Sequence, residues 1–156
     1  MATLPCPRKA VPVVWRPLAD EDLAYVAALE AQIHAAPWTL GNFRDALAAG
    51  YLAQAGEREG RIVAYGVLML APGEAQILNV SVVPDSRREG LGRALLERFM
   101  RDAARRGAEQ VFLEVRVGNG IFVRPHAAGL PREDDDGPGP FDLLAARRMI
   151  EGEIAA

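Results

Sequence analysis

The chain has 156 residues and a net charge of −3, with half its residues hydrophobic and a quarter charged. That is ordinary globular composition for one domain, and it excludes wholesale disorder. One cysteine, Cys6, and two histidines, His34 and His126, exclude an intrachain disulfide framework, a Cys-based zinc cluster and a His-rich metal site, so no metal is expected. The acidic balance argues against a dedicated nucleic-acid binder, and no direct nucleic-acid partner is expected.

Charge is unevenly spread. Met1 to Gly118 carries fourteen acids and fourteen bases, whereas Asn119 to Ala156 carries seven acids against four bases. The tail is thus a different kind of sequence, and the chain divides into a core over 1–119 and an atypical segment over 120–156. The longest apolar run, Ile62 to Ala71, is about half of the roughly 20 residues a spanning helix needs. No signal-peptide pattern opens the chain, because Pro5, Pro7 and Pro12 interrupt it. The expectation is a soluble cytoplasmic protein with no membrane partner.

Val11 to Arg16 reads as a first strand closed by Pro17. Asp20, Glu21 and Asp22 then open a helix by complementing its dipole, with Leu23, Val26, Ala27 and Ile33 as its apolar stripe. After Pro37, Thr39 caps a second short helix with Leu40, Phe43 and Leu47 facing inward and Gly50 at its end. Tyr51 to Ala55 and Arg61 to Leu70 read as a hairpin joined by the five-residue turn Gly56 to Gly60. Pro72-Gly73 turns the chain into a third run, Ala75 to Val83. Leu91, Leu95, Leu96, Phe99, Met100 and Ala103 mark a long amphipathic helix ended by Gly107. Gln110 to Val117 is a further strand. Beyond Asn119 four prolines, the acidic run 133–136 and several glycines read as loop or disorder, with a short helix predicted near 142–151.

The stretch from Asn79 to Leu96 carries the chemistry. A buried strand runs into a turn and then into a helix whose first turn holds Gly90 and Gly92, with Arg87, Arg88 and Arg93 around it. Glycines let backbone N–H groups approach an anion, and a helix N-terminus adds unpaired donors and a positive dipole end. These features make a phosphate or pyrophosphate cradle. A Walker loop requires a lysine that is absent here. A dinucleotide fingerprint requires a third small residue where Leu95 stands, and it opens a first βαβ unit rather than following a meander.

Arg87-Arg88-Glu89-Gly90-Leu91-Gly92 resembles the acetyl-CoA loop of the GNAT superfamily of acyl-CoA N-acyltransferases. His34-Ala35-Ala36-Pro37-Trp38-Thr39, Leu113-Glu114-Val115-Arg116 and Asn119 resemble the RimI-type members, which acetylate the N-terminal alanine of a ribosomal protein. The resemblance runs from about Val14 to Asn119. It implies an α/β fold with a mixed, mostly antiparallel sheet flanked by helices, and acetyl-CoA as cosubstrate entering between two splayed strands that end near Val82 and Val117. It implies that Val80, Ser81 and Val82 pair with the pantetheine arm and that Arg88, Glu89, Gly90, Leu91, Gly92 and Arg93 wrap the pyrophosphate. Arg87 would stand at the rim and Asn119 would contact acetyl-CoA. Glu114 would be the general base, and a protein N-terminus the acceptor, with the enzyme a monomer or weak homodimer.

The tail departs from that pattern. Related enzymes place a tyrosine after the Asn119 position as general acid, and this chain has none beyond Tyr65; counting along, the position falls on His126. Two other readings therefore stand beside the first: a GNAT acting on a small-molecule amine, and a CoA-binding module with weak or no turnover.

Overall fold

A computed structural model describes residues 11–115 and 121–123. Six strands form one sheet in the order β1-β2-β3-β4-β5-β6. They are β1 (Val14–Pro17), β2 (Leu52–Arg58), β3 (Arg61–Ala71), β4 (Glu74–Val82), β5 (Gln110–Val115) and β6 (Ile121–Val123). Every neighbouring pair is antiparallel except β4–β5, which is parallel. The helices are α1 (Leu23–Ile33), α2 (Leu40–Ala48) and α3 (Leu91–Arg105). The mixed, mostly antiparallel sheet flanked by helices is the architecture expected. Strand β6 was not expected, since proline and glycine density masks a three-residue segment that pairs with β5. The helix predicted near 142–151 lies outside the described residues. Among the described residues no helix is long and apolar enough to cross a membrane.

The α3 side of the sheet is packed as the periodicity demands. Leu91, Leu95, Leu96, Phe99, Met100 and Ala103 are all buried, and most meet Leu68, Ala75, Ile77 and Val111 of the sheet. The opposite side is covered by α1 and α2, with Leu23, Val26, Phe43 and Ala46 against Ala53, Ala55, Tyr65 and Val67. Helix α2 starts as predicted. Thr39 Oγ1 accepts the Asn42 N–H at 3.2 Å while Asn42 Oδ1 accepts the Thr39 N–H at 2.9 Å, a reciprocal cap.

Two expectations need correction. Asp20, Glu21 and Asp22 do not begin α1 but form a single 3-10 turn before it. Asp22 is drawn instead to Arg16, with contacts of 2.7 and 2.9 Å. The β2–β3 turn is not Gly56 to Gly60 but only Glu59-Gly60, both at positive φ (51° and 76°), the pairing that a two-residue hairpin favours. Gly56 lies inside β2. A Cβ there would come within 2.9 Å of the Trp15 ring and of Val13, so this glycine serves close approach rather than turning.

Candidate active site

Strands β4 and β5 pair only from Glu74↔Gln110 to Ile77↔Leu113. Beyond that point β5 pairs with β6, and Leu78–Val82 of β4 run on without a β5 partner. The divergence coincides with an irregularity in the β3–β4 ladder. Val67 faces Asn79 and Leu68 faces Ile77, so Leu78 is the extra residue. A bulge bends its strand and leaves a residue unpaired. Leu78 packs with the α1/α2 core and Asn79 bonds to α1, so two successive side chains take the same face. Leu78–Val82 is thus the stretch of β4 that β5 does not pair, the place where the resemblance puts the entry of acetyl-CoA.

The end of β4 leads directly to the glycine loop. After Val82, a single 3-10 turn over Pro84–Ser86 precedes Arg87, and α3 begins at Leu91. Arg88 and Gly90 both adopt left-handed backbone, with φ of 64° and 77°. A left-handed arginine costs about 1–2 kcal/mol, and such outliers concentrate where a backbone is shaped to receive something. Gly90 is the N-cap of α3 and offers no side chain to it, and a Cβ there would meet nothing within 4 Å. Among the described residues the first amides of α3, at Leu91, Gly92 and Arg93, have no hydrogen-bond partner and are free to meet a ligand. Donors, dipole and open space agree with a phosphate-bearing group such as the CoA pyrophosphate.

The other predicted residues are placed as follows. Val80 is half-buried, and Ser81 and Val82 are buried. All three lie on the part of β4 without a β5 partner, and the Ser81 side chain joins a polar cluster under α1. Glu89 projects from the loop to Arg58, at 2.8 Å, so its carboxylate is held off the amides it would otherwise cap in competition with a phosphate. Arg93 pairs with Glu97 at 2.9 Å one turn on, and Arg87 Nε reaches back to the Val82 carbonyl at 3.4 Å. Leu91 is buried beside Val63, Ala64 and Val82, leaving only its backbone to the cradle. Glu114 follows Leu113, the last β5 residue paired with β4, and stands opposite Phe122 of β6. Asn119 lies outside the described residues.

Sequence reasoning missed the cluster that Ser81 joins. Glu30 of α1 is 2% exposed. Its Oε2 accepts the Tyr65 hydroxyl at 2.6 Å and the Ser81 hydroxyl at 3.4 Å, and its Oε1 accepts Asn79 Nδ2 at 3.0 Å and the Trp38 N–H at 3.3 Å. His34 Nε2 sits 2.8 Å from Ser81 Oγ. Burial, and then the Glu30 carboxylate, push the Tyr65 hydroxyl well above the usual tyrosine range. The signal was present in the sequence: Glu30 continues the spacing of Leu23 and Val26, so a charge occupies a core-facing position of the helix. Phe43 is buried in the core as expected, and the partly buried Trp38 packs on it with ring centroids 5.2 Å apart. A separate cleft of about 490 Å³ lies along α2, lined by Pro37, Trp38, Asn42, Asp45 and Tyr51 among others, away from the α3 N-terminus.

Comparison with known proteins fits this geometry. Residues 16–124 match the acetyltransferase (GNAT) family model. The ribosomal protein bS18-alanine N-acetyltransferase of Escherichia coli is 34% identical over 106 residues, covering 68% of this chain and 72% of that one. The Salmonella typhimurium protein of the same description is 33% identical over the same coverage. The crystal structure of the E. coli enzyme superposes with a TM-score of 0.63 at 33% identity, covering 69% of each chain. A Thermoplasma acidophilum N-acetyltransferase in complex with coenzyme A gives a TM-score of 0.60 at 15% identity, covering 69% and 81%, a likeness of fold alone. With a matching family model over most of its length and relatives of the same fold, the chain belongs to the GNAT family and is an acetyl-CoA-dependent N-acetyltransferase.

Proposed function

We propose that the enzyme acetylates the N-terminal α-amine of a protein, with an alanine-starting ribosomal protein as acceptor, by direct attack of the amine on the acetyl thioester. The observation that carries this reading is the 34% identity to bS18-alanine N-acetyltransferases across two-thirds of the chain. A ribosomal-protein acceptor puts the work in the cytoplasm. The loop from Arg88 to Arg93, with the amides of Leu91, Gly92 and Arg93, wraps the pyrophosphate, and Arg87 stands at the rim. The β4 edge at Val80, Ser81 and Val82 receives the pantetheine arm, with Asn119 as a further contact. Acetyl-CoA supplies the activated acyl carbon, and everything else is the work of the chain.

At neutral pH an α-amine, with a pKa of about 7.7–8.0, is mostly ammonium and cannot attack. Glu114, on β5 where that strand leaves β4, takes this proton directly or through water. Attack then forms the amide bond as the C–S bond breaks; CoA leaves as its thiolate, which takes up the second proton the amine loses, and no covalent enzyme intermediate is required. Glu114→Gln tests the assignment. The amide is nearly isosteric and position 114 is on β5 rather than in the glycine loop, so acetyl-CoA affinity stays, while turnover of an alanine-starting peptide falls by roughly 10²–10⁴. The loss shrinks as pH rises and more amine is already neutral. Wild-type turnover by the variant at neutral pH contradicts the role. Running polyamine and aminoglycoside acceptors alongside the peptide separates a protein acceptor from a small one. Acetyl-CoA binding with no turnover of any acceptor marks a non-catalytic module, a reading that the missing tyrosine of the tail supports.

A further inference from the structure

Glu30 is a buried carboxylate that the transfer chemistry above does not use. Removing such a group from water is costly unless its oxygens are engaged, and here both are, by donors from three parts of the fold. Tyr65 is on β3, at 2.6 Å from Oε2. Asn79 and Ser81, at 3.0 Å and 3.4 Å, lie on the stretch of β4 beyond the bulge, the strand edge without a β5 partner. The Trp38 N–H, at 3.3 Å, belongs to the connection between α1 and α2. At the end of the same helix His34 meets Ser81 Oγ at 2.8 Å. One carboxylate oxygen, Oε1, therefore holds a side chain of the cleft strand and a main-chain amide of the α1–α2 connection together.

We propose that Glu30 is a positioning residue that couples the α1–α2 connection, residues 34–39, to the β4 edge, so that a ligand seated on that edge also fixes the connection beside it. The inference rests on the reading of the β4 edge as the seat of the acyl-CoA. Coupling of this kind is reciprocal. Whatever orders the connection also favours binding at the edge. The device orders the two sides of the reaction without touching either reactant. Its working part is the shared acceptor oxygen rather than the charge. Glu30→Gln keeps a carbonyl oxygen for Asn79 and Trp38 and turns its NH₂ toward the two hydroxyls, which can rotate to accept. Glu30→Leu keeps the volume and removes the tie.

The readout is amide exchange at Trp38, resolved by NMR in the full chain with and without saturating acetyl-CoA, with binding followed by calorimetry. In the wild type and in Glu30→Gln, acetyl-CoA slows Trp38 exchange by roughly tenfold, within the usual range of coupling between sites. In Glu30→Leu the slowing drops below about twofold. A role confined to stability would change Trp38 exchange without ligand but leave that ratio intact. Asn79→Ala cuts the tie from the β4 side with Glu30 in place and gives the same loss, so the test stands even if Glu30→Leu does not fold. Full slowing in Asn79→Ala, or its absence in a wild type that binds acetyl-CoA, overturns this inference and leaves the functional reading in place. No heat on titrating the wild type overturns both.

Discussion

The two faces of the sheet are built on different rules. On the α3 face the contact is mainly apolar: the helix supplies six buried residues at regular spacing, and Arg98 lies over the Trp15 ring. On the α1/α2 face a comparable apolar layer is interrupted by Glu30, Asn79 and Ser81, all buried and bonded to one another. An apolar face holds a helix in place through area and shape, and it is indifferent to what approaches the sheet edge. A buried polar cluster demands particular partners at particular distances. The face on which α1, β3, β4 and the α1–α2 connection meet carries the polar cluster, while the face that holds α3 does without one.

Removing shape from the apolar face should have the largest effect. Phe99 is fully buried, and Phe99→Ala should cost about 3–5 kcal/mol of unfolding free energy, read from urea denaturation. Gly66 joins the faces. A Cβ there would lie 2.5 Å from the Asn79 carbonyl and 2.9 Å from Phe99, so Gly66→Ala should cost about 2–3 kcal/mol. It should also disturb Asn79, and hence Glu30, from the α3 side.

On the polar face, Tyr65→Phe removes the shortest bond to Glu30 and should cost about 2 kcal/mol. Because the folded-state pKa of Tyr65 is raised, its stabilising contribution is complete below the ordinary tyrosine pKa and declines as pH climbs above it. Alkaline denaturation curves should therefore fall less steeply in Tyr65→Phe than in the wild type. The smallest effect belongs to the rim. The Arg16 guanidinium holds Asp22 below the usual carboxylate range, across a partly exposed pair at 2.7 Å. Asp22→Asn should cost about 1 kcal/mol at neutral pH. That contribution is present above the unfolded-state pKa of Asp22 and lost as pH falls through the depressed folded one. The gap between variant and wild type should close in strong acid.

These contrasts explain what could be read in advance. Helix α3 was legible because one apolar periodicity fixed its length, its buried face and the position of Gly90 at its start. The cradle was legible in its glycines, arginines and helix start, whereas the β4–β5 splay followed from resemblance rather than from any pattern in Leu78 itself, since a bulge leaves no compositional mark. Gly56 was misread because a glycine that admits the Trp15 ring and one that makes a turn look alike in sequence. Glu30 escaped because a charge on a helix is ordinarily solvated. Only its three-dimensional partners, 49 and 51 positions away at Asn79 and Ser81, show what it does.

The central claim is that the start of α3 is the seat of the acetyl-CoA phosphates, and Gly92→Asp tests it most directly. An aspartate in the first turn of a helix complements the dipole and should leave the fold as stable as before, or steadier by about 0.3–1 kcal/mol. The same carboxylate would stand among the amides and repel a pyrophosphate. Calorimetric titration of acetyl-CoA should give a clear isotherm with the wild type and none with a Gly92→Asp protein whose thermal unfolding is undiminished. Equal affinity in the two folded proteins would contradict the assignment.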